Sequence, residues 1–377
     1  MFGRELSPGA TFAQGLVVKK TLHVGTHSVV YEVTQASTGA SRALKVIHGE
    51  FGKDPKYAEA FLARARAAAR IKSEHVAAVL DCGTFEDQPY CVMELLSGHS
   101  LEQELMRTET LPVAAGTQLL MELGHALAAA HDVGVTHGDL KPEGIILAQT
   151  ERPDRFRTEV QFVGAGLVAS LCFDNTTAAM SRPLWMAPEQ ADAVAHLDPR
   201  MDVWSYGLLA FYVMTGRHYF KTARDTGSAQ MTLMREVLYE PLIAPSIRAE
   251  ELGVIGRLPA GFDTWFARCV SRERDGRFAH AREAADALAV LIGAARPSVP
   301  APTAGVSPTG PTELAGGSPA TTATSAATQA PAPVEKRGAV GVVLAVIAAL
   351  LLLTAGAGYG AKRNFDGKER EGKGAEG

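Results

Sequence analysis

A charge imbalance, paired cysteines and an apolar leader are all missing from this sequence of 377 residues. The formal net charge is −4, so the chain offers no basic excess to a nucleic acid or another polyanion. Its four cysteines, Cys82, Cys91, Cys172 and Cys269, are scattered without a C-x-x-C pair. That spacing fits neither a zinc site nor a disulfide framework, and reads as reduced thiols in a cytosolic domain. The opening MFGRELSPGATF contains no apolar core of an export signal. What is present in quantity is apolar surface: 46% of the residues are hydrophobic, enough for a sizeable core.

Two breaks in composition divide the chain. Residues 296–337 are rich in Pro, Ala, Thr, Ser and Gly and nearly free of large apolar groups. Such a segment cannot bury enough surface to offset chain entropy, which predicts a flexible tether. From Ala339 to Tyr359 the chain reads AVGVVLAVIAALLLLTAGAGY, without a charge. As a helix this run spans about 30 Å of hydrocarbon, which predicts one transmembrane segment. Gly356 and Gly360 have the spacing of paired membrane helices but stand at the end of the run. The tail, 360–377, is polar and too short for a folded sensor.

Residues before the tether change pattern near position 100. Leu16–Lys20, Val29–Thr34, Arg42–His48, Val76–Asp81 and Tyr90–Glu94 are short and β-branched, which predicts strands. Between them, Lys56–Ile71 carries Phe61, Leu62, Ala65, Ala68 and Ala69 at helical spacing. Helical patterns then dominate: Ser100–Met106, Val113–Val133, Asp202–Thr215, Phe262–Cys269 and Ala281–Leu291. A small β-rich lobe followed by a larger helical one is α+β in class.

Five marks fall in order along this region: Ala43-Leu44-Lys45, the loop HGDLKPEG from His137 to Gly144, MAPEQ from Met186 to Gln190, DVWSYG from Asp202 to Gly207, and Arg277-Phe278. Together they resemble the bacterial Ser/Thr protein kinases of the eukaryotic type. The resemblance covers roughly residues 12–292 and implies a bilobal fold, with a small lobe at about 12–96 and a large lobe at about 97–292. It assigns Asp139 to the catalytic base and Lys141 to a phosphate contact. Lys45, Gly25 and Val30 fall at nucleotide-binding places, with Met93, Glu94 and Leu96 at the hinge. Glu189 and Arg277 fall on a buried ion pair of the family, and Asp202 on the residue that anchors the catalytic-loop backbone.

Departures from the pattern cluster at the chemistry. Phosphoryl transfer needs a lysine held by a helix glutamate, a glycine-rich turn over the phosphates, and side chains that bind magnesium. The glutamate position is Arg64, so Lys45 is expected to meet a like charge or none. Glu59 lies five residues away, about 500° around the helix, and Glu74 lies past its end. His23, Gly25 and Ser28 stand at the three glycine places, and the turn is expected to be a plain hairpin. Gly138 replaces the arginine that would receive a phosphorylated activation loop. Gly144 and Gly164 replace the two metal ligands, and glycine has no side chain to offer a cation. Ala165 follows at the phenylalanine place, and Asp174 is the nearest acid downstream. Ser181-Arg182-Pro183 replaces the family threonine, and Arg182 is placed to pair with Asp139.

These residues predict a membrane-tethered pseudokinase that works through protein partners, an active kinase or its substrate. The domain is expected on the cytoplasmic side of a single-pass cell-membrane anchor, with Mg²⁺ not expected to bind and ATP held, if at all, by Lys45 and the hinge. Two alternatives stay open: an active Ser/Thr kinase with atypical metal binding, and a nucleotide sensor that does not hydrolyse.

Overall fold

Alternation of apolar and polar residues in the first hundred positions builds one antiparallel sheet. The computed structural model describes residues 6–25, 27–150, 156–162, 184–191, 198–224 and 230–293. The expected tether, membrane span and tail lie outside the described residues, as do Gly164, Ala165, Asp174 and the 181–183 triplet. Six strands, β1 (Thr11–Phe12), β2 (Leu16–Val24), β3 (Ser28–Gln35), β4 (Ser41–Ile47), β5 (Val79–Phe85) and β6 (Gln88–Glu94), run in the order β1-β2-β3-β4-β6-β5. The strand expected at Val76–Asp81 is displaced. Asp81 pairs with Val92 across a register shift, and the pairing continues to Phe85 and a two-residue turn at Glu86-Asp87. Both turn residues have positive φ, 48° and 61°, the backbone twist that suits a tight hairpin.

The sheet has two faces with different company. Leu44, Val46, Tyr90 and Val92 join Phe12, Leu16, Val18 and Val33 in a cluster of their own. Ala43, Ile47, Cys91 and Met93 face the other way, into a core that runs on through the helical lobe. On that second face a short helix, α1 (Gly49–Gly52), leads to α2 (Pro55–Ala68). Asp54 caps α2, accepting from the Lys56 amide at 2.9 Å, and Pro55 occupies the first turn, where no N–H is missed. Tyr57, Phe61, Ala65 and Ala68 form its buried stripe, whereas Ala69, expected in that stripe, is exposed because the helix has ended.

The larger lobe is built on α3 (Leu101–Thr108), α4 (Val113–Asp132), α5 (Pro199–Thr215), α6 (Gln230–Leu238), α7 (Pro245–Glu251), α8 (Phe262–Cys269) and α9 (Ala281–Leu291). Ser100 and Gln103 make a reciprocal cap on α3. Helix α4 lies against α9 so closely that a Cβ on Gly124 would stand 2.5 Å from that of Ala285, so only glycine fits. A second sheet, β7 (Gly98–Ser100), β8 (Ile145–Gln149) and β9 (Phe156–Val160), was not legible in the sequence, nor were α6 and α7. Among the described residues no helix is long and apolar enough to cross a membrane.

Candidate functional site

Lys45 lies on β4, paired in register with Val30 of β3 and Cys91 of β6, and only 9% of it is exposed. The two-residue period that sends Ala43 and Ile47 into the shared core sends Lys45 to the same face. Met93 is buried opposite Ala43 and Val79. The chain leaves the sheet at Glu94, an exposed residue whose amide donates to the Ala78 carbonyl at 2.9 Å, and Leu96 is half-buried. Lys45, Val30 and Met93 are thus neighbours, with Glu94 and Leu96 at the exit of the strand.

The β2–β3 turn closes on itself. The Gly25 amide donates to the Ser28 carbonyl at 2.9 Å, and the His48 ring donates to the Gly25 carbonyl at 2.9 Å. A Cβ at Gly25 would stand 3.3 Å from both the Ser28 carbonyl and the His23 ring, tight but not forbidden. The His27 ring lies 4.7 Å from that of Phe51 on α1. A ring contact and the His48 bond therefore buttress this turn.

The loop that carries Asp139 is held through its backbone. Asp202, in the first turn of α5 and fully buried, accepts from the amides of His137 and Gly138, both at 2.7 Å, and from the His131 ring at 2.8 Å. Burial pushes its carboxyl up, but the neighbouring His131 and His137 rings and the Gly138 amide outweigh that and hold it below the usual value. Gly138 takes φ of +69°, a region costly for any side chain, and its carbonyl accepts from Gln190 at 2.7 Å. Burial drives the His137 ring down to about 4. That ring donates to the Gln161 carbonyl at 3.0 Å and accepts from the Asp139 amide at 3.2 Å. Lys141 Nζ stands 3.5 Å from Asp139 Oδ2, both side chains being mostly buried.

The guanidinium of Arg64 donates to the carbonyls of Thr136, at 3.0 Å, and His137. Burial pulls the group down to about 10, while the negative charges of Asp202 and Asp139 pull it back up. Two backbone carbonyls and the charges of Asp202 and Asp139 together suit a cation at this position. No sequence signal pointed to this contact, or to His131 and Gln190 as supports of the loop.

Gly144 ends the single 3-10 turn Pro142–Gly144. Nothing lies within 4 Å of where its Cβ would stand, so the position has room for a side chain and has none. Among the described residues no group of three or more His, Cys, Asp or Glu is arranged to hold a metal. Glu189 and Arg277 pair through two bonds of 2.7 and 2.8 Å. Arg277 also donates to the Ser271 and Arg200 carbonyls and lies over the Trp204 ring, 5.1 Å from its centre. An apolar cavity of about 280 Å³ lies between Leu111, Gly116, Val213, Leu258 and Leu291, and none of the residues above lines it.

Comparison with known proteins bears on this arrangement. The family model described as the protein kinase domain matches residues 16–255. The serine/threonine-protein kinase PknL of Mycobacterium tuberculosis is 30% identical over 292 residues, which is 76% of this chain and 68% of PknL. The serine/threonine-protein kinase pkn2 of Myxococcus xanthus is 29% identical over 311 residues, 79% of this chain and 36% of that protein. The crystal structure of the Mycobacterium tuberculosis PknI kinase domain has a TM-score of 0.58 at 23% identity, covering 76% of this chain and 100% of that one. At that identity the likeness concerns the fold: a β-rich small lobe and a helical region.

Proposed function

The chain belongs to the protein kinase family, and from that premise we propose that it is a membrane-tethered pseudokinase, a scaffold or regulator of protein phosphorylation. The observation that carries the reading is Arg64. Where the family resemblance calls for an acid to hold the nucleotide lysine, a buried cation is committed to the Thr136 and His137 carbonyls. Gly144 supports it, since the position has open space but no side-chain oxygen to offer magnesium, which takes oxygen ligands. The glycine at position 164 is read the same way from sequence.

Metal ions in such sites supply several kcal/mol of transition-state stabilisation, and each 1.36 kcal/mol is tenfold in rate. Loss of both ligands therefore lowers phosphoryl transfer by about 10⁴- to 10⁶-fold. The apolar run 339–359 anchors the chain in the cell membrane with the domain on the cytoplasmic side. Its partners are proteins, an active kinase or that kinase's substrate. Any ATP held by Lys45 and the hinge is held without Mg²⁺, as in a nucleotide sensor.

One observation favours the rival reading of a working Ser/Thr kinase: Asp139 and Lys141 are both present and 3.5 Å apart. Nucleotide binding to the full chain, with and without Mg²⁺, together with radiolabelled phosphate transfer to a basic protein, separates the readings. The pseudokinase transfers nothing above background. Transfer that depends on Mg²⁺ or Mn²⁺ and disappears in Asp139→Asn overturns it in favour of the active kinase.

A further inference from the structure

The β5–β6 hairpin brings two cysteines face to face. Cys82 and Cys91 are direct register partners. Counting from the two-residue turn, Phe85 and Gln88 form the first hydrogen-bonded pair, Thr84 and Pro89 the first non-bonded pair, and Gly83 and Tyr90 the next bonded one. Cys82 and Cys91 therefore fall on a non-hydrogen-bonded pair. Two further observations agree. Pro89, which has no N–H, stands at the other non-bonded position, and the Cys82 amide donates to its neighbour Asp81 at 2.8 Å rather than across the hairpin.

Non-bonded pairs are the close ones, with Cα atoms about 4.5 Å apart and both side chains on one face. Disulfides span Cα separations of about 4.4–6.8 Å, so the pair falls inside the permitted window. Cys91 is fully buried and Cys82 partly exposed, so an oxidant meets Cys82 first. Arg66 of α2 is placed beside Cys82, a cation that favours the thiolate. Lys45 is the register partner of Cys91 on its other side, so Lys45, Cys91 and Cys82 form one row across three strands.

We propose that Cys82 and Cys91 are a redox pair, converted to a reversible disulfide by a peroxide. The Cys82 thiolate sulfur attacks the O–O bond, which breaks to give a Cys82 sulfenic acid and hydroxide. The Cys91 sulfur then attacks the Cys82 sulfur: the S–S bond forms, the S–O bond breaks, and the oxygen leaves as water with the Cys91 proton. Overall, two thiols and one hydrogen peroxide give one disulfide and two waters. Reducing compartments keep structural disulfides rare, and those that form there serve redox sensing. The pair needs neither phosphoryl transfer nor a bound nucleotide. Burial raises both thiols, Cys91 to about 12, so the reaction is slow at neutral pH and quickens as pH rises.

The full chain, purified reduced in detergent, is exposed to excess hydrogen peroxide, denatured with thiols blocked, and cut after glutamate. The expected product is the peptide His75–Glu86 joined to Asp87–Glu94 in most molecules, released by dithiothreitol. Cys91→Ser leaves Cys82 as a sulfenic acid that dimedone traps. Cys82→Ser leaves Cys91 reduced under the same exposure. A wild-type chain in which Cys82 proceeds to sulfinic acid beside a reduced Cys91 overturns the proposal. So does a linked peptide that joins Cys82 to any other cysteine.

Discussion

Arg64 of α2 donates to the Thr136 carbonyl at 3.0 Å, linking residues 72 positions apart in sequence. A helix of the small lobe is thereby bonded to the loop that carries Asp139. The bond reverses the electrostatics expected at this position of the helix, since a cation now lies near Asp139 and Asp202.

Arg64→Ala leaves two buried carbonyls without a donor, and each such group costs about 1–3 kcal/mol. The expected loss of stability is about 2–6 kcal/mol, read from the midpoint of chemical denaturation. Arg64→Glu is expected to be worse, because a carboxylate would face two carbonyls and two aspartates. A glutamate variant as stable as wild type would mean that the helix carries its charge elsewhere.

Gly144→Asn meets open space and is expected to change stability by less than about 0.5 kcal/mol. It is also expected to leave phosphate transfer at background, because catalytic groups act as a unit and the other defects persist. Radiolabelled transfer by this variant alone would show that the site lacked one metal ligand and nothing more.

Stability should fall with acid through His137. The folded ring takes a proton only near pH 4, whereas an unfolded histidine does so near 6.5. Between those values the unfolded chain holds the extra proton, so the contribution is present above about pH 6.5 and is lost as pH drops toward 4. Its size is about 3 kcal/mol. Burial lowers His125 and His280 in the same direction, which adds to the slope. Melting temperature measured from pH 7 to pH 4.5 should decline in wild type and decline less in His137→Gln. Equal slopes in the two proteins would remove His137 from the account.

Arg277→Ala strands Glu189 in a mostly buried place and is expected to cost about 3–5 kcal/mol. The double variant with Glu189→Gln should lose less than the sum of the singles, because the two losses are one interaction. Additive losses in a double-mutant cycle would contradict the pairing.

Removal of residues 339–377 is expected to shift the chain from the membrane pellet to the supernatant after cell lysis. Equal pelleting of the truncated and full chains in carbonate wash would refute the anchor.

How far the sequence reached depended on range. The strands β2–β4 and the helices α8 and α9 announce themselves because a two- or 3.6-residue period is a local property. Strands β7–β9 are five residues or shorter and take their identity from partners far along the chain, so no local pattern marks them. The same holds for the site. Asp139, Lys141, Glu189, Asp202 and Arg277 sit in recognisable runs. The Arg64 contact was invisible because it depends on where α2 rests, and Gln190 and His131 gain their roles from the carbonyl and carboxylate that happen to face them.

Asp202 grips the loop by the amides of His137 and Gly138, groups that every residue type except proline provides. The grip is therefore indifferent to most side chains, except at Gly138, whose φ of +69° favours glycine. Side chains at other positions of such a loop can change one at a time while the grip that shapes it stays in place. The same tolerance runs in reverse: outside position 138, side chains can be put back into this loop without first rebuilding its path.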